Sequence, residues 1–274
     1  MEITPNSEEH SSAALSSVHL DQAVAAIRDD GYVVLEDVIA PDHLDQLRER
    51  MDQDAQQMID ARQWGGAGGV PGHLQQGPPP FAPFVFSDIV ANPFVIQVSQ
   101  ALLGDSFFNC LYNGNTNCPG SGTQPLHRDT DHLWPDLPVA HPAARLVVNI
   151  SPHDVSEENG GVELWPGTHL DPSVGSLVDA ETEAARRAVV PPTRGTARKG
   201  SVLIRDMRLW HRGVPNSSDR PRHMIAMVHS IGWLDRGTPL TYGRDSESAF
   251  PDCALDHNAL FTDEPIDYLP IANR

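Results

Sequence analysis

The stretch Asn113-Gly-Asn-Thr-Asn-Cys-Pro-Gly-Ser-Gly-Thr-Gln-Pro-Leu-His-Arg-Asp129 carries the pattern from which the fold is predicted. Its first part reads as a strand, its middle is a Pro-Gly turn, and its end places His127 and Asp129 two residues apart. Side chains two positions apart on a strand point to the same face. The stretch therefore predicts that an imidazole and a carboxylate are directed at one point.

Short β-like runs separated by turn signals surround this stretch, at 107–117, 126–129, 144–150, 161–165, 200–205 and 222–231. Apolar periodicity predicts further elements, namely a strand at 32–35 and helices at 20–30, 41–62, 93–103 and 182–188. Helices followed by many short strands favour an α+β protein built on a β-sandwich or barrel.

The organisation of the chain indicates one domain, because neither an internal repeat nor a second block of composition appears. Residues 18–274 are expected to form this domain. Residues 1–17 are polar and rich in Ser and Glu, and are expected to be a disordered tail. The Gly/Pro-rich segment 66–84 is expected to be a lid loop, since long loops within a compact domain are often functional.

Composition excludes several classes of protein. The chain of 274 residues has 37 acidic and 19 basic residues, which gives a net charge of -18. Nucleic-acid binders and proteins of anionic membrane surfaces usually carry a basic face, so both are disfavoured. The N-terminus lacks a signal-peptide pattern, no apolar run reaches the roughly 20 residues of a membrane helix, and three cysteines do not make a disulfide framework. A cytoplasmic location is expected.

Histidine is abundant, at thirteen residues, and two of these residues fit a metal centre. His127 shares a strand face with Asp129, and His211 stands at the end of a later predicted strand. Two histidines and a carboxylate on one side of a metal ion form the facial triad of non-haem iron oxygenases, although His-x-Asp also occurs often by chance. Arg222 opens a strand shortly after His211 and would supply the fixed cation that the distal carboxylate of 2-oxoglutarate requires.

Further motifs resemble those of the phytanoyl-CoA dioxygenase family of iron(II)/2-oxoglutarate oxygenases. They are DDGYVVLEDV from Asp29, CPGSG from Cys118, ENGGVELWPGTH from Glu158, GSVLIRD from Gly200 and HRGVPN from His211. The resemblance implies a double-stranded β-helix, or jelly roll, with helices packed on one sheet. It also implies that His127, Asp129 and His211 bind catalytic Fe(II), that Arg222 binds 2-oxoglutarate, and that O2 is consumed.

Two positions depart from the family pattern near the cosubstrate. Many members have a lysine where this chain has Asn117, and a tryptophan where it has Asn149. Asparagine can donate hydrogen bonds but carries no charge. Binding of 2-oxoglutarate is therefore expected to depend on Arg222, with Asn117, Gln124 and Asn149 as neutral partners.

Segments around the site also resemble dioxygenases of bacterial aminoglycoside antibiotic pathways, of the kanamycin type, in VPGHLQQ from Val70 and QPLHRDTDHLWP from Gln124. This resemblance implies a polar small-molecule substrate of specialised metabolism, and the acidic chain makes a cationic or amino-sugar-like substrate a hypothesis. Candidate substrate contacts are His73, Gln75, Asn113, Asn115, His132 and Trp134. The alternatives are a solvent-facing strand edge for the asparagines and ordinary loop packing for the others.

The motifs together predict a dioxygenase that hydroxylates its substrate, with ketone formation or desaturation as alternatives. The carboxylate at Asp129 disfavours halogenation, because related halogenases keep that position small. A metallo-β-lactamase-like hydrolase competes, since the order His127, Asp129, Asp131, His132 superficially resembles its metal motif. A non-enzymatic jelly-roll binding module is a further alternative, which the intact set of metal and cosubstrate residues disfavours. The oligomeric state is open, and a homo-oligomer is compatible with the sequence.

Overall fold

The computed structural model describes residues 1–62, 66–134 and 136–269. Its strands are β1 (Glu2–Ile3), β2 (Tyr32–Leu35), β3 (His73–Gln75), β4 (Phe107–Asn117), β5 (Arg145–Ile150), β6 (Glu163–Leu164), β7 (Thr193–Arg194), β8 (Val202–Asp206), β9 (His211–Arg212), β10 (Arg222–Ile231), β11 (Leu240–Gly243), β12 (Leu255–Asp256) and β13 (Ala259–Thr262). Its α-helices are α1 (Ser7–Ser12), α2 (Ser17–Asp29), α3 (Pro41–Asp60), α4 (Ser87–Val90), α5 (Pro93–Leu103) and α6 (Ala180–Val189).

Most of the strands belong to one large sheet, in the order β1-β2-β8-β5-β10-β4-β12, and β3 also pairs with β4. A smaller sheet has the order β7-β6-β9. His127 extends this smaller sheet, because its N–H donates to the carbonyl of His211 at 3.1 Å and its carbonyl accepts from the N–H of His211 at 2.8 Å. The two sheets form a double-stranded β-helix, or jelly roll, with helices beside it, as the sequence predicts.

The strands of the large sheet have two different faces, and β10 shows this most clearly. Ile225 and Met227 belong to the main hydrophobic core. Met224 and Ala226, which alternate with them, line a cavity instead. The same alternation in β5, β8 and β4 gives the sheet one apolar face and one face that lines the cavity.

Helices α2, α3 and α5 cover the apolar face of the large sheet. Ala23 and Ile27 of α2, Leu44 and Leu47 of α3 and Val98 of α5 are buried in one core with the strands. Apolar residues at helical spacing form the stripe that each helix buries. The helices therefore bury one face of the large sheet, and the other face carries the side chains that line the cavity. None of the helices in the described ranges is long and apolar enough to cross a membrane.

The N-terminal segment differs from its prediction as a disordered tail. Residues 1–17 contain β1, which pairs in parallel with β2, and α1. Asn6 caps α1 by accepting from the N–H groups of Glu8 and Glu9, and the Glu9 carboxylate accepts from the Asn6 N–H in return. This reciprocal capping box, together with the burial of Ile3 and Leu15 in the core, offsets the entropy of ordering a polar segment.

Two predicted boundaries also differ from the structure. Residues 73–75, within the segment expected to be a lid loop at 66–84, form β3 and pair antiparallel with β4. The strand expected at 126–129 is reduced to isolated bridges of His127, and Asp129 lies in a bend after it. In both places, whether a strand forms depends on pairing with residues that are distant in the sequence, and the local composition does not reveal that pairing.

Candidate metal centre

A cavity of about 350 Å³ lies between the two sheets. Its lining comes from β3, β4, β5, β8, β9 and β10 and from the segment that carries His127 and Asp129. Four of the residues that line it are the predicted metal and cosubstrate residues His127, Asp129, His211 and Arg222. The fold therefore gathers residues that are far apart in the sequence onto the wall of one cavity.

Three of these residues are arranged as metal ligands. One ligand atom from each of His127, Asp129 and His211 lies within 4.8 Å of the others. The Oδ1 atom of Asp129 is 3.8 Å from Nε2 of His127 and 3.5 Å from Nε2 of His211. A metal ion that replaces these contacts would receive two imidazole nitrogens and one carboxylate oxygen, which is the donor set of a facial triad.

Backbone carbonyls set the tautomer of both histidines. Nδ1 of His127 is 2.8 Å from the carbonyl of Pro125, and Nδ1 of His211 is 3.0 Å from the carbonyl of Leu209. A carbonyl only accepts hydrogen bonds, so each Nδ1 carries the proton and donates it. The Nε2 atoms, which face Asp129, therefore keep their lone pairs for a metal ion, in the arrangement that is usual for metal-binding histidines.

The electrostatics of the triad favour a divalent cation. Burial, followed by the nearby Arg205 charge, lowers the pKa of His211 to about 3, so its imidazole is neutral at physiological pH. Enclosure raises the pKa of Asp129, but Arg205 and His211 lower it by more, and the carboxyl stays ionised. Neutral imidazoles and an ionised carboxylate are the protonation states that metal binding requires.

Arg205 is a site residue that the sequence analysis missed. Its Nη2 donates to Oδ2 of Asp129 at 2.6 Å, and its Nε donates to Oδ1 of Asn149 at 3.3 Å. The signal was present in β8, where Val202 and Ile204 belong to the helix-covered core and Arg205 occupies the alternate face. A charged residue directly after an apolar run in a central strand, on the face opposite its core residues, indicates a polar interior.

Arg222 is a buried cation without a carboxylate partner in the described part of the chain. Its Nη2 donates to the carbonyl of Gly160 at 3.1 Å, while its Nε is buried and has no described partner. Burial, with a smaller contribution from Arg194, lowers its pKa to about 10, so the guanidinium remains charged at neutral pH. A buried guanidinium with an unused donor beside a cavity is a site for an anionic ligand.

A row of side-chain amides lines the cavity beside these charges. It comprises Gln75, Asn113, Asn115, Gln124 and Asn149. Some of these amides are held by the backbone: Gln75 donates to the carbonyl of Gly114 at 2.8 Å, and Gln124 accepts from the N–H of Gly213 at 2.7 Å. The Nδ2 atom of Asn149 is buried and has no described partner. The structure therefore places Asn113 and Asn115 of β4 on a cavity wall and not on a solvent-facing edge.

Asn117 does not line this cavity, although the sequence predicts a cosubstrate contact there. Its Nδ2 donates to the carbonyl of Val214 at 2.9 Å, and its Oδ1 accepts from the hydroxyl of Ser121 at 2.5 Å. Its own carbonyl accepts from Nδ2 of Asn216 at 2.9 Å. The side chain is thus engaged in tying the end of β4 to the segment after β9, because Asn117 is the last residue of its strand.

Three of the predicted substrate contacts also lie outside the described cavity lining. His73 is fully buried, and its Nε2 donates to the carbonyl of Gly122 at 2.8 Å. His132 is buried against Arg208 and His141. Trp134 is 49% exposed and lies edge-on to His141. Sequence proximity to the metal residues suggested contact for His132 and Trp134, and a place in the expected lid loop suggested it for His73, but these side chains contact other parts of the chain.

Comparison with proteins of known structure supports the fold. AviO1 from Streptomyces viridochromogenes Tue57 is similar, with a TM-score of 0.56 and 20% sequence identity over 81% of this chain and 99% of that protein. The non-haem α-ketoglutarate-dependent epimerase SnoN from nogalamycin biosynthesis is similar as well, with a TM-score of 0.55 and 19% identity over 81% of this chain and 88% of that protein. At sequence identities this low, the structural similarity shows a shared fold and nothing more.

Relatives and a family profile were also found by sequence. Dioxygenase andF of Emericella variicolor is 25% identical over 52% of this chain and 49% of its own length. Dioxygenase af480 of Aspergillus fumigatus is 23% identical over 52% of this chain and 44% of its own length. The chain thus spans about half the length of these curated relatives. The profile described as phytanoyl-CoA dioxygenase (PhyH) matches residues 27–224, which is well over half of the chain, and the protein therefore belongs to the phytanoyl-CoA dioxygenase (PhyH) family.

Proposed function

We propose that this protein is an Fe(II)- and 2-oxoglutarate-dependent dioxygenase that hydroxylates a polar small molecule. The observation that carries this proposal is that His127, Asp129 and His211 converge on the wall of a cavity that Arg222 also lines, and that Arg222 has no carboxylate partner among the described residues. A metallohydrolase has no need of the buried arginine. A binding module has no need of three metal-ligand atoms that lie within 4.8 Å of one another.

The residues present fit the implied metal and cosubstrate. The Nε2 atoms of His127 and His211 and the Oδ1 atom of Asp129 would hold Fe(II), and Arg222 would pair with the distal carboxylate of 2-oxoglutarate. The bound iron and 2-oxoglutarate together supply the oxidation, in which O2 gives one oxygen atom to succinate and one to the substrate, with release of CO2.

The protein's own contribution is binding, orientation and the exclusion of water. Arg222 lies on β10 of the large sheet, whereas His211 lies on β9 of the smaller sheet and His127 is bridged to it, so 2-oxoglutarate would extend across the cavity between the sheets. Gln124 and Asn149 line this space and can donate hydrogen bonds to a bound carboxylate or keto group. Asn117 is not assigned to the cosubstrate, since its amide is engaged elsewhere.

The substrate is proposed to be a polar small molecule of specialised metabolism, and Gln75, Asn113 and Asn115 are proposed to contact it. Support comes from the neutral amide wall and from SnoN, which acts in nogalamycin biosynthesis. A cationic or amino-sugar-like substrate would be attracted by the net charge of -18. Within the described lining, however, the one carboxylate is Asp129, and Arg205 already pairs with it. Amino groups would therefore be received by amide oxygens and not by a carboxylate.

The product is proposed to be an alcohol, with ketone formation and desaturation as alternative outcomes of the same chemistry. A cytoplasmic location is part of the proposal, because Cys110, Cys118 and Cys253 are free thiols, as is typical of a reducing compartment.

The decisive test is the addition of Fe(II) and 2-oxoglutarate to the purified protein without air. A weak visible absorption band from the iron-bound keto acid is expected, and admission of O2 should release succinate. Absence of the band and of succinate would exclude the proposed function. Zinc-dependent hydrolysis of an ester or lactam would support the hydrolase instead.

A further inference from the structure

The carboxylate of Asp129 is divided between two sets of partners. Oδ1 faces the Nε2 atoms of both histidines, at 3.8 and 3.5 Å. Oδ2 accepts from Nη2 of Arg205 at 2.6 Å. One oxygen is thus directed at the proposed metal position while the other is engaged by a guanidinium, so the plane and rotation of the carboxylate are fixed.

The three ligands differ in how the backbone supports them. His127 and His211 lie opposite each other in a β-bridge, and each is also oriented through its Nδ1 atom by a carbonyl. Asp129 lies in a bend beyond that bridge, and its N–H donates to the carbonyl of Met207 at 3.2 Å. A carboxylate only accepts hydrogen bonds, so it must be oriented by donors, and among the described residues Arg205 donates to the Asp129 side chain.

Arg205 is itself held firmly. It lies in β8, a central strand, with Tyr32 of β2 and Val147 of β5 as its neighbours across the sheet. Its side chain is 6% exposed, and its Nε donates to Oδ1 of Asn149. An anchor on a central strand is more rigid than one on a loop.

A structural role alone accounts poorly for this arginine. Nη1 of Arg205 is buried without a described partner, so the ion pair leaves part of the cost of burying a guanidinium uncompensated. By contrast, Arg208 of the same segment bonds Asp206 through Nε and Nη2 and the carbonyl of His141 through Nη1. An incompletely satisfied buried charge next to a ligand indicates a functional constraint.

We propose that Arg205 is a positioning residue that holds Asp129 as a ligand through Oδ1 alone. By occupying Oδ2, it prevents the carboxylate from chelating the metal with both oxygens, and so keeps a coordination position open for the cosubstrates. This inference rests on the proposed function, because it assumes that the triad binds a divalent metal. It assigns a role outside the ligand set, of the kind that orients ligands in other metal sites.

Cobalt(II) titration of the metal-free protein tests this role without any turnover. Arg205→Met keeps the bulk of the side chain and removes the fork. It is expected to weaken Co(II) binding by about tenfold to a hundredfold, and to change the intensity of the visible Co(II) bands as the carboxylate rotates. Arg205→Lys keeps the charge but offers a single point of attachment, and a loss of severalfold is expected.

The matched control is Arg208→Met, which removes a buried ion pair from the same segment without touching the triad. It is expected to lower the melting temperature and to leave Co(II) affinity and spectrum unchanged. Wild-type affinity and spectrum in either folded Arg205 variant would overturn the inference while leaving the proposed function intact. Failure of the wild-type protein to take up Co(II) would overturn both. If Arg205→Met does not fold, Arg205→Lys decides alone.

Discussion

In the candidate metal centre, hydrogen bonds to backbone carbonyls engage some atoms of His211 and Arg222 and leave others available for a ligand. His211 has its Nδ1 engaged by the carbonyl of Leu209, so Nε2 is directed into the cavity. Arg222 has Nη2 engaged by the carbonyl of Gly160, while its buried Nε has no partner among the described residues, so the guanidinium keeps donors for a ligand. Substitutions at these positions therefore have separable consequences.

Replacement of His211 by alanine is expected to abolish succinate formation. The substitution removes one of three proposed ligands, and the remaining pair cannot hold the metal in the facial arrangement. Succinate release from 2-oxoglutarate measures the effect. His229→Gln is a matched control, because His229 is also a buried histidine but packs against Ser99, away from the cavity. Retained turnover in the His211 variant would disprove the triad assignment.

Arg222→Ala is expected to weaken 2-oxoglutarate binding by two orders of magnitude or more, on the scale of about 3 kcal/mol for a lost buried charge-assisted pair. Metal affinity should change little, since Arg222 lies on β10 and makes no described contact with the triad. Anaerobic titration of 2-oxoglutarate into the iron-loaded protein measures the first quantity, and Co(II) titration measures the second. Equal 2-oxoglutarate affinity in the variant and the wild type would refute the role.

The spacing of residues in the sequence predicted the metal ligands and Arg222. The contacts that support them depend on how strands distant in sequence lie beside one another. His127, Asp129, His211 and Arg222 could be chosen from the sequence because metal and anion chemistry restricts the residue types and their order. The alternation in β8 indicates that Arg205 faces the interior, but it does not name the partner, because the contact with Asp129 depends on how the segment after His127 lies against the end of β8. His132 and Trp134 lie outside the cavity lining, because the loop after Asp129 contacts residues distant in sequence, such as Arg208 and Trp233.

At the scale of elements, the end of β4 connects both sheets to the candidate site. Asn117 donates to the carbonyls of Val214 and, at 3.4 Å, Gly160. The carbonyl of Gly160 also accepts from Arg222. Gly160 has a φ of 79°, and an added Cβ would approach Nδ2 of Asn117 to 2.3 Å, so glycine is required at this turn. The turn that supports Arg222 is thus clamped by Asn117.

Asn117→Ala is expected to lower the free energy of unfolding by about 1–3 kcal/mol, because buried backbone carbonyls would lose their donor. Urea denaturation monitored by circular dichroism measures this loss. The same variant should keep 2-oxoglutarate affinity far closer to the wild type than Arg222→Ala does. A variant of unchanged stability with a large loss of 2-oxoglutarate affinity would instead restore Asn117 to the cosubstrate site.

Elements were predicted best where a regular pattern coincides with a strong local signal. α5 has its predicted bounds, since Asn92 caps it and Pro93 begins it. β4 and β10 also have their predicted bounds, because both alternate over many residues. β3 was not predicted, since three residues within a Gly/Pro-rich segment carry no periodicity and form a strand only through pairing with β4.

At the scale of the whole molecule, several histidines are buried in the neutral form. Burial lowers the pKa of His153 to about 4, and burial, with a smaller contribution from His257, lowers that of His229 to about 3. The reference pKa of histidine is 6.5. At a pH between the lowered pKa of the folded state and 6.5, these histidines therefore bind protons in the unfolded chain but not in the folded chain. Their contribution to the free energy of unfolding is therefore fully present above pH 6.5 and is lost progressively as the pH falls below that value.

The protein is accordingly expected to lose stability steadily as the pH is lowered from about 6.5 to 4. Each such histidine should contribute a slope of up to about 1.4 kcal/mol per pH unit. Free energies of unfolding from urea titrations across this pH range measure the total slope, and His229→Gln should reduce it. An unchanged slope in the His229 variant would contradict the expectation.

The division of the cavity between strands has a consequence for altering this protein. The groups proposed to hold or position the metal and the cosubstrate come from β5, β8, β9, β10 and the segment 124–129, whereas the amides proposed to recognise the substrate lie on β3 and β4. Gln75 and Asn115 are paired neighbours in that part of the sheet. A combinatorial library confined to Gln75, Asn113 and Asn115 would thus vary the proposed substrate contacts while the proposed metal and cosubstrate residues stay unchanged.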